Sequence, residues 1–488
     1  MNMEMILLMP FFIISVFAVV ATVIDPLFKN RAVNFWLSLI GLILTALAAG
    51  NNIVIQPWVE RSLPTADLLS KKMLLFGSFS AYFDILFCIA GILTLLSAKP
   101  YLRREYKEYN EFYSLLLFSI LGMMMIAHSN HLLVLFLGIE LMSISFYILA
   151  GFVRTRTLSI EASIKYFLLG SFASGFLLYG MALIYGTAYT MDFSAINSYL
   201  KIVPEVPIYF NIGVALLLVG LAFKIAAFPF HQWAPDVYHG SPTVVSGFLS
   251  TAGKAAAISA FILVANAIFP FKAAEEVLKI KATSLNIVAL ISALTMLLGN
   301  LTALVQKNVK RMLAYSSVAH AGYLLMGIAA NNAEGQNGMV FYATAYIFMQ
   351  LGAFIIVSVL ERDETNYIEF NDYSGLRKAH PWLAAMMAVF LFSLAGIPPF
   401  SGFIGKYYLF VAAIKGNFTW LTIVAVISSI ISMYYYIGLV LKMYFVESNE
   451  KALESDCGTS RISLFITVAA TIILGVVPSL ILNIIDKF

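Results

Sequence analysis

The 488-residue chain is 61% hydrophobic and 11% charged, with a formal net charge of +4 and a mean hydropathy of +0.89. A soluble domain carries about a quarter charged residues, so a surface this apolar has only lipid to face, and the modest charge gives no reason to expect nucleic acid as a partner. Cys88 and Cys457 stand far apart, with no CxxC, no His-rich tract, no GxGxxG, no P-loop and no haem-attachment motif. A disulfide framework, a metal site and an iron–sulfur centre are therefore not expected in this chain.

Crossing the hydrocarbon as a helix takes about 20 apolar residues. The first such run, 5–24, has Glu4 before it in place of a basic stretch and lacks a small-residue cleavage site. It reads as a membrane span and not as a removed signal. Spans follow at 32–50, 80–98, 112–129, 131–152, 161–186, 208–230, 243–266, 283–305, 312–330, 338–360, 382–414, 418–446 and 461–485, about fourteen in all. A longer polar loop, 51–79, separates the second and third. The fourth and fifth are joined only by Ser129-Asn130-His131. No segment is large enough for a soluble domain, and the expected fold class is an all-α membrane protein.

Two spans are interrupted by proline. The seventh runs Phe223-Lys224-Ile225-Ala226-Ala227-Phe228-Pro229-Phe230-His231, and the twelfth runs Ala395-Gly396-Ile397-Pro398-Pro399-Phe400 before reaching Lys406. Each proline frees backbone carbonyls, which membrane depth tolerates only under cover of protein or water. The breaks lie five spans apart. A unit of five spans is odd, so its second copy is inserted upside down, the arrangement that marks ion paths in many transporters. The expected organisation is an N-terminal three-helix segment (1–110), two inverted five-helix repeats (111–270, spans 4–8, and 271–446, spans 9–13) and a C-terminal helix (447–488). The echo is imperfect, since Lys224 precedes its proline while Lys406 follows its pair, and two unrelated kinks are the alternative.

Lys and Arg set the expected orientation. Of the 30, loops after odd-numbered spans hold 17, and loops after even-numbered spans with the termini hold 9. That bias puts both termini outside and the loops after odd-numbered spans, Lys310 among their residues, in the cytoplasm. The four left over, Lys165, Lys224, Lys254 and Lys406, fall inside spans, and Glu140 is the one acid well inside a span, Asp84 lying near a span end. A charge at the bilayer centre costs at least about 2.5–3.5 kcal/mol. One interior glutamate cannot neutralise three or four lysines, so static ion pairing does not absorb the surplus. Titratable groups at a common depth are what a lateral proton relay needs, and lysine suits it because burial penalises its charged form. Glu140, Lys224, Lys254 and Lys406 are the expected relay. Lys165, which is able to snorkel, His231 and His320 are secondary candidates. His128, His131, His239 and His380 fall at span ends, where solvation is expected.

These stretches resemble a known family. "HLLVLFLGIELMSISFYILAGF" around Glu140, "FKIAAFPFHQWAPDVYHGSPTVVSGFLSTAGKAA" around Lys224 and Lys254, "QKNVKRMLAYSSVAHAGYLLMG" around His320 and "LAGIPPFSGFIGKYYLF" around Lys406 are similar to the antiporter-like subunits of respiratory complex I and their relatives in cation/proton antiporters and membrane hydrogenases. The likeness covers spans 4 to 13. It implies that Glu140 modulates Lys224, that Lys254 passes the proton along, and that Lys406 exchanges it with the other side. It also implies that NADH, FMN, iron–sulfur clusters and quinone belong to other subunits, that this chain binds no cofactor, and that its partners are lipid and neighbouring antiporter-like membrane subunits of a bacterial inner membrane. A multisubunit Na⁺/H⁺ antiporter or a membrane-bound hydrogenase is the alternative host. A stand-alone solute transporter would show a ligand pocket of Asn, Ser or aromatic groups at the breaks in place of lysines, and a structural scaffold would tolerate loss of Lys224.

Overall fold

The computed structural model describes residues 3–27, 31–62, 73–104, 110–203, 205–269, 275–361, 368–447 and 457–488. A chain surrounded by hydrocarbon must satisfy its own backbone, and helix does so within each segment. In chain order the helices are α1 (Met3–Leu27), α2 (Arg31–Ser62), α3 (Ser78–Arg104), α4 (Glu111–Ala127), α5 (Leu132–Ala150), α6 (Thr157–Ala188), α7 (Phe193–Ile202), α8 (Ile208–Lys224) and α9 (Trp233–Gly240). Then come α10 (Thr243–Ile268, with a π-helical stretch at Leu249–Gly253), α11 (Glu275–Leu304), α12 (Val309–Ala330), α13 (Ala333–Leu360), α14 (Pro381–Ala395), α15 (Ser401–Lys415), α16 (Thr419–Phe445), α17 (Ser460–Val476) and α18 (Ser479–Ile485).

Among the described residues there is no β-strand, and ten helices are long and apolar enough to cross a membrane. The pair α17 and α18 makes an eleventh if its bend counts within one span, while α4, α8 and α14 are shorter apolar helices. The chain is a multi-pass, all-helical membrane protein. Three details depart from the sequence reading. The last span, placed at 461–485, bends by 78° between α17 and α18, where Pro478 cannot donate a backbone hydrogen bond. Helix α2 runs on to Ser62, into the expected 51–79 loop, of which 63–72 lie outside the described residues. Helix α7 occupies the connection after α6, started by Asp192, whose side chain accepts from Ala195 N at 2.8 Å.

Helices α10 and α13 are buried along their length and form the middle of the bundle. Helices α1, α2, α6 and α16 are the most exposed of the long apolar helices and turn apolar side chains outward, with Phe172 at 71% and Tyr434 at 74% exposed. The bundle also repeats a piece of its own geometry. Leu132 N donates to Met191 O at 2.9 Å and Phe193 N to Asn130 O at 2.9 Å, pinning the start of α5 to the end of α6. The same pair of bonds recurs 177 residues later, Val309 N to Ile368 O at 2.7 Å and Phe370 N to Lys307 O at 2.9 Å, pinning the start of α12 beyond α13. Helix crossings follow suit. A Cβ on Gly122 of α4 would come within 2.5 Å of Met142 N, and one on Gly299 of α11 would come within 2.5 Å of Ala319 N, again 177 residues on. Small residues at both crossings let the backbones touch.

Both proline sites are true breaks. Helix α8 stops at Lys224 and resumes as α9 at Trp233; α14 stops at Ala395 and resumes as α15 at Ser401. Gly396 takes a φ of +85°, the left-handed value that closes α14 without a Cβ penalty. Both breaks contain a cis peptide bond, Phe228–Pro229 and Pro398–Pro399.

Candidate functional site: a buried row of lysines

Lys224 is the last residue of α8, so its side chain leaves the helix where the backbone breaks. It is buried, and its Nζ donates to Ser143 Oγ on α5 at 2.8 Å. Ser143 lies one turn beyond Glu140, and residues three apart share a helix face. Glu140 is half-buried, accepts from the Ser174 hydroxyl of α6, and stands within Coulombic reach of Lys224 without forming an ion pair with it. Lys224 also sits 6.0 Å from the Tyr147 ring centroid. The Trp233 indole of α9 donates to Phe223 O at 3.0 Å and stacks on Tyr166 at 4.5 Å, which ties the second half of the broken helix to the first.

Lys254 follows the π-helical stretch of α10, and its Nζ donates to both the hydroxyl and the carbonyl of Ser317 on α12, the hydroxyl at 2.6 Å. One turn along α12, His320 lies between two phenols: Nδ1 meets Tyr342 Oη at 2.5 Å and Nε2 meets Tyr436 Oη at 3.2 Å. Tyr436 Oη meets Ser316 Oγ at 2.5 Å. A further turn along is Tyr323, whose ring centroid lies 4.8 Å from Lys406 Nζ. His320 is within Coulombic reach of Lys254 and Lys406 alike. One face of α12, Ser317–His320–Tyr323, therefore joins the two lysines.

Lys406 caps the second break. Its Nζ donates to Leu394 O and Ala395 O, both at 3.1 Å, and to Ser429 Oγ of α16 at 3.0 Å. The two carbonyls end a helix and carry its negative partial charge, so an ammonium is well placed there. Between Lys224 and Lys254 the polar line is interrupted. Phe146, one turn beyond Ser143 on α5, abuts Gly253, where a Cβ would come within 2.7 Å of its ring, and no hydrogen bond among the described residues links the two lysines.

The remaining candidates lie elsewhere. Lys165 is 42% exposed at its side chain and pairs with Glu161 at 2.6 Å and Asp236 at 3.1 Å; Asp236 also binds Arg311 at 2.9 Å. His231 lies in the first break, half-buried beside Phe228, and touches none of the row. Two expectations are corrected. His128, expected to be solvated, is 1% exposed. Its Nδ1 meets Leu75 O and its Nε2 meets Asp84, each at 2.8 Å. Its partner Asp84, near the start of α3 as expected, is buried as well, because the 73–76 segment folds back over the helix ends through Asn130 N to Met73 O. Lys310, expected in a cytoplasmic loop, is buried and binds Glu361 at 3.3 Å and Ser241 O at 3.2 Å. Among the described residues no cluster of His, Cys, Asp and Glu is arranged to hold a metal ion.

Comparison with known proteins places this geometry. Residues 129–432 match the family described as NADH:quinone oxidoreductase/Mrp antiporter, transmembrane. The chain is 39% identical to NADH-quinone oxidoreductase subunit N 1 of Chloroherpeton thalassium, over 97% of this chain and 96% of that one. It is 41% identical to NADH-quinone oxidoreductase subunit N of Trichlorobacter lovleyi, over 98% and 95%. Its structure superposes on a chain of respiratory complex I from Thermus thermophilus, solved with bound aureothin, with a TM-score of 0.78 and 31% identity, over 97% of this chain and 98% of that one. A match spanning both breaks, α5, α10 and α12, together with relatives aligned almost end to end, is decisive: the chain belongs to the NADH:quinone oxidoreductase/Mrp antiporter transmembrane family.

Proposed function

We propose that this chain is the proton-translocating membrane subunit N of a NADH-quinone oxidoreductase, moving protons through a buried Glu/Lys/His relay while quinone is reduced elsewhere in the complex. The observation that carries the reading is the row of three buried lysines, Lys224, Lys254 and Lys406, with Glu140 at one end and His320 joining the last two. Near end-to-end identity of 39–41% to subunit N proteins favours this host over the antiporter branch of the same family. In the proposed relay Glu140 sets the charge environment of Lys224, the proton passes to Lys254 across the Phe146 step, and Lys406 exchanges it at the second break. Water has to complete the Phe146 step. NADH, FMN, iron–sulfur clusters and quinone belong to the partner subunits of the complex.

The finer architecture is part of the same proposal. The ten long helices, the bent α17–α18 pair and the shorter α4, α8 and α14, the last two continued by α9 and α15, make fourteen spans. The contacts recurring 177 residues apart support two five-helix copies, within 111–270 and 271–446, flanked by segments 1–110 and 447–488. On this register Ser317 of the second copy stands where Glu140 stands in the first, and His320 where Ser143 stands. The bacterial subunit N relatives support an inner-membrane setting, and the charge bias supports an orientation with both termini outside.

Affinity purification of the tagged chain from membranes tests the assignment. The expected result is co-purification of flavin and iron–sulfur subunits with NADH:quinone reductase activity. Recovery with Na⁺/H⁺ exchange and no NADH oxidation would overturn it.

A further inference from the structure

The three lysines of the row share a feature that sets them apart from other lysines of the chain. Each donates to a serine hydroxyl: Lys224 to Ser143 at 2.8 Å, Lys254 to Ser317 at 2.6 Å and Lys406 to Ser429 at 3.0 Å. None of the three pairs with a carboxylate among the described residues. Lys165, Lys310, Lys378 and Lys415 all do, binding Asp236 or Glu161, Glu361, Glu447 and Glu334 at 2.5–3.3 Å. Burial does not explain the division, since Lys310 is 1% exposed and Lys254 is 2% exposed.

The chemistry of the partner does explain it. An ionised carboxylate only accepts hydrogen bonds, so it favours the ammonium and offers no donor to the amine lone pair once the proton has gone. A hydroxyl has one donor and two acceptor lone pairs. It accepts from the ammonium, and after deprotonation it turns its O–H to the amine lone pair. The hydroxyls here are set as a charged lysine requires. Ser143 donates away from Lys224 to Ile139 O at 2.5 Å, and Ser429 donates away from Lys406 to Ala395 O at 3.2 Å. Ser317 faces the phenols of Tyr238 and Tyr346.

We propose that Ser143, Ser317 and Ser429 are positioning residues of the relay, each a hydroxyl that satisfies its lysine in both protonation states, so that a buried lysine gives up a proton without leaving its nitrogen lone pair short of a donor. This rests on the relay reading above. The proton passes from Nζ to the next carrier, a water or a neutral lysine amine. The serine O–H bond is kept throughout. It rotates from its backbone carbonyl to the amine and returns when the lysine is reprotonated.

The test uses the complete complex in inside-out membrane vesicles, with Ser143→Thr, Ser143→Ala and Ser143→Asp beside Lys224→Met. Proton pumping and NADH-driven quinone reduction are measured across pH at matched assembly. Ser143→Thr keeps the hydroxyl and is expected to rescue the pumping and the pH profile that Ser143→Ala loses. Ser143→Ala is expected to be slower by roughly ten- to a hundredfold, the equivalent of one hydrogen bond to a charged group, with an altered pH profile. Ser143→Asp is expected to be slowest, because it turns Lys224 into a fixed pair of the Lys310 kind. Parental pumping by Ser143→Asp would mean that the serine only holds the lysine in place, and a parental rate and pH profile for Ser143→Ala would mean that the hydroxyl plays no part. Should Ser143→Asp not assemble, the contrast between Ala and Thr decides. Normal pumping by Lys224→Met would overturn the relay itself, whereas an inactive Lys224→Met beside a normal Ser143→Ala overturns only the serine proposal.

Discussion

Lys406→Met separates a moving proton from a static cap, because the structure allows the cost of the substitution to be weighed. Methionine keeps most of the alkyl stem and deletes the ammonium. Ala395 O retains a donor, Ser429 Oγ at 3.2 Å, whereas Leu394 O loses the Lys406 bond at 3.1 Å. Leaving one buried carbonyl without a donor costs about 1–3 kcal/mol. Against this, the variant no longer buries an ammonium, whose desolvation penalty is several kcal/mol. The two terms roughly cancel, so the complex should assemble in near-parental amounts. Function should not survive. A positioned proton-transfer group contributes about 10²–10⁴-fold, so pumping should fall by roughly a hundredfold or more, and coupled quinone reduction should fall with it. Native-gel quantification and fluorescence-quench pumping assays on the same vesicles read both quantities. An assembled complex with undiminished pumping would refute the relay role of Lys406, and failure to assemble would make it a structural cap.

Gly402→Ala should cut the yield of assembled complex, because its Cβ would lie 1.9 Å from Ser393 O at the second break, an overpacking that costs typically 1–3 kcal/mol and here more; Gly438→Ala, which meets nothing within 4 Å, should leave yield unchanged. Cysteines introduced near Arg104 and Arg377 should react with impermeant reagents only from the cytoplasmic face, and cysteines near either terminus only from outside; reaction near Arg104 from outside would reverse the orientation.

Much of the site was legible in the sequence because charge stands out against a hydrocarbon background. Glu140, Lys224, Lys254 and Lys406 interrupt apolar runs, and the structure buries all three lysines at two broken helices and a π-helical stretch. The serines were not legible. Serine is common in membrane helices, and Ser143 meets a lysine 81 residues away in sequence, a contact that only packing creates. The use of Lys406 as a cap was hidden for a related reason, since the carbonyls it binds become available only after Gly396 turns the chain. The groups that are drier than a span end suggests, His128, Asp84 and Lys310, all lie near helix ends. A span end looks solvated in a one-dimensional reading, but the 73–76 segment covers the first two, and Glu361 with Ser241 encloses the third. Helix ends near the bundle axis are as dry as helix middles. Periodicity cannot separate the two cases.

The central claim is that Lys224 carries a proton and is not a fixed charge. Lys224→Arg tests it most directly, because guanidinium keeps the positive charge and the capacity to donate to Ser143 but does not deprotonate in proteins. Pumping and quinone-reductase rates are measured for Lys224→Arg, Lys224→Ala and Glu140→Gln at matched assembly. The account predicts that Arg fails as Ala does, and that Glu140→Gln is the mildest of the three because it retunes a carrier without removing one. Parental pumping by Lys224→Arg would contradict the account and make the lysine a static charge.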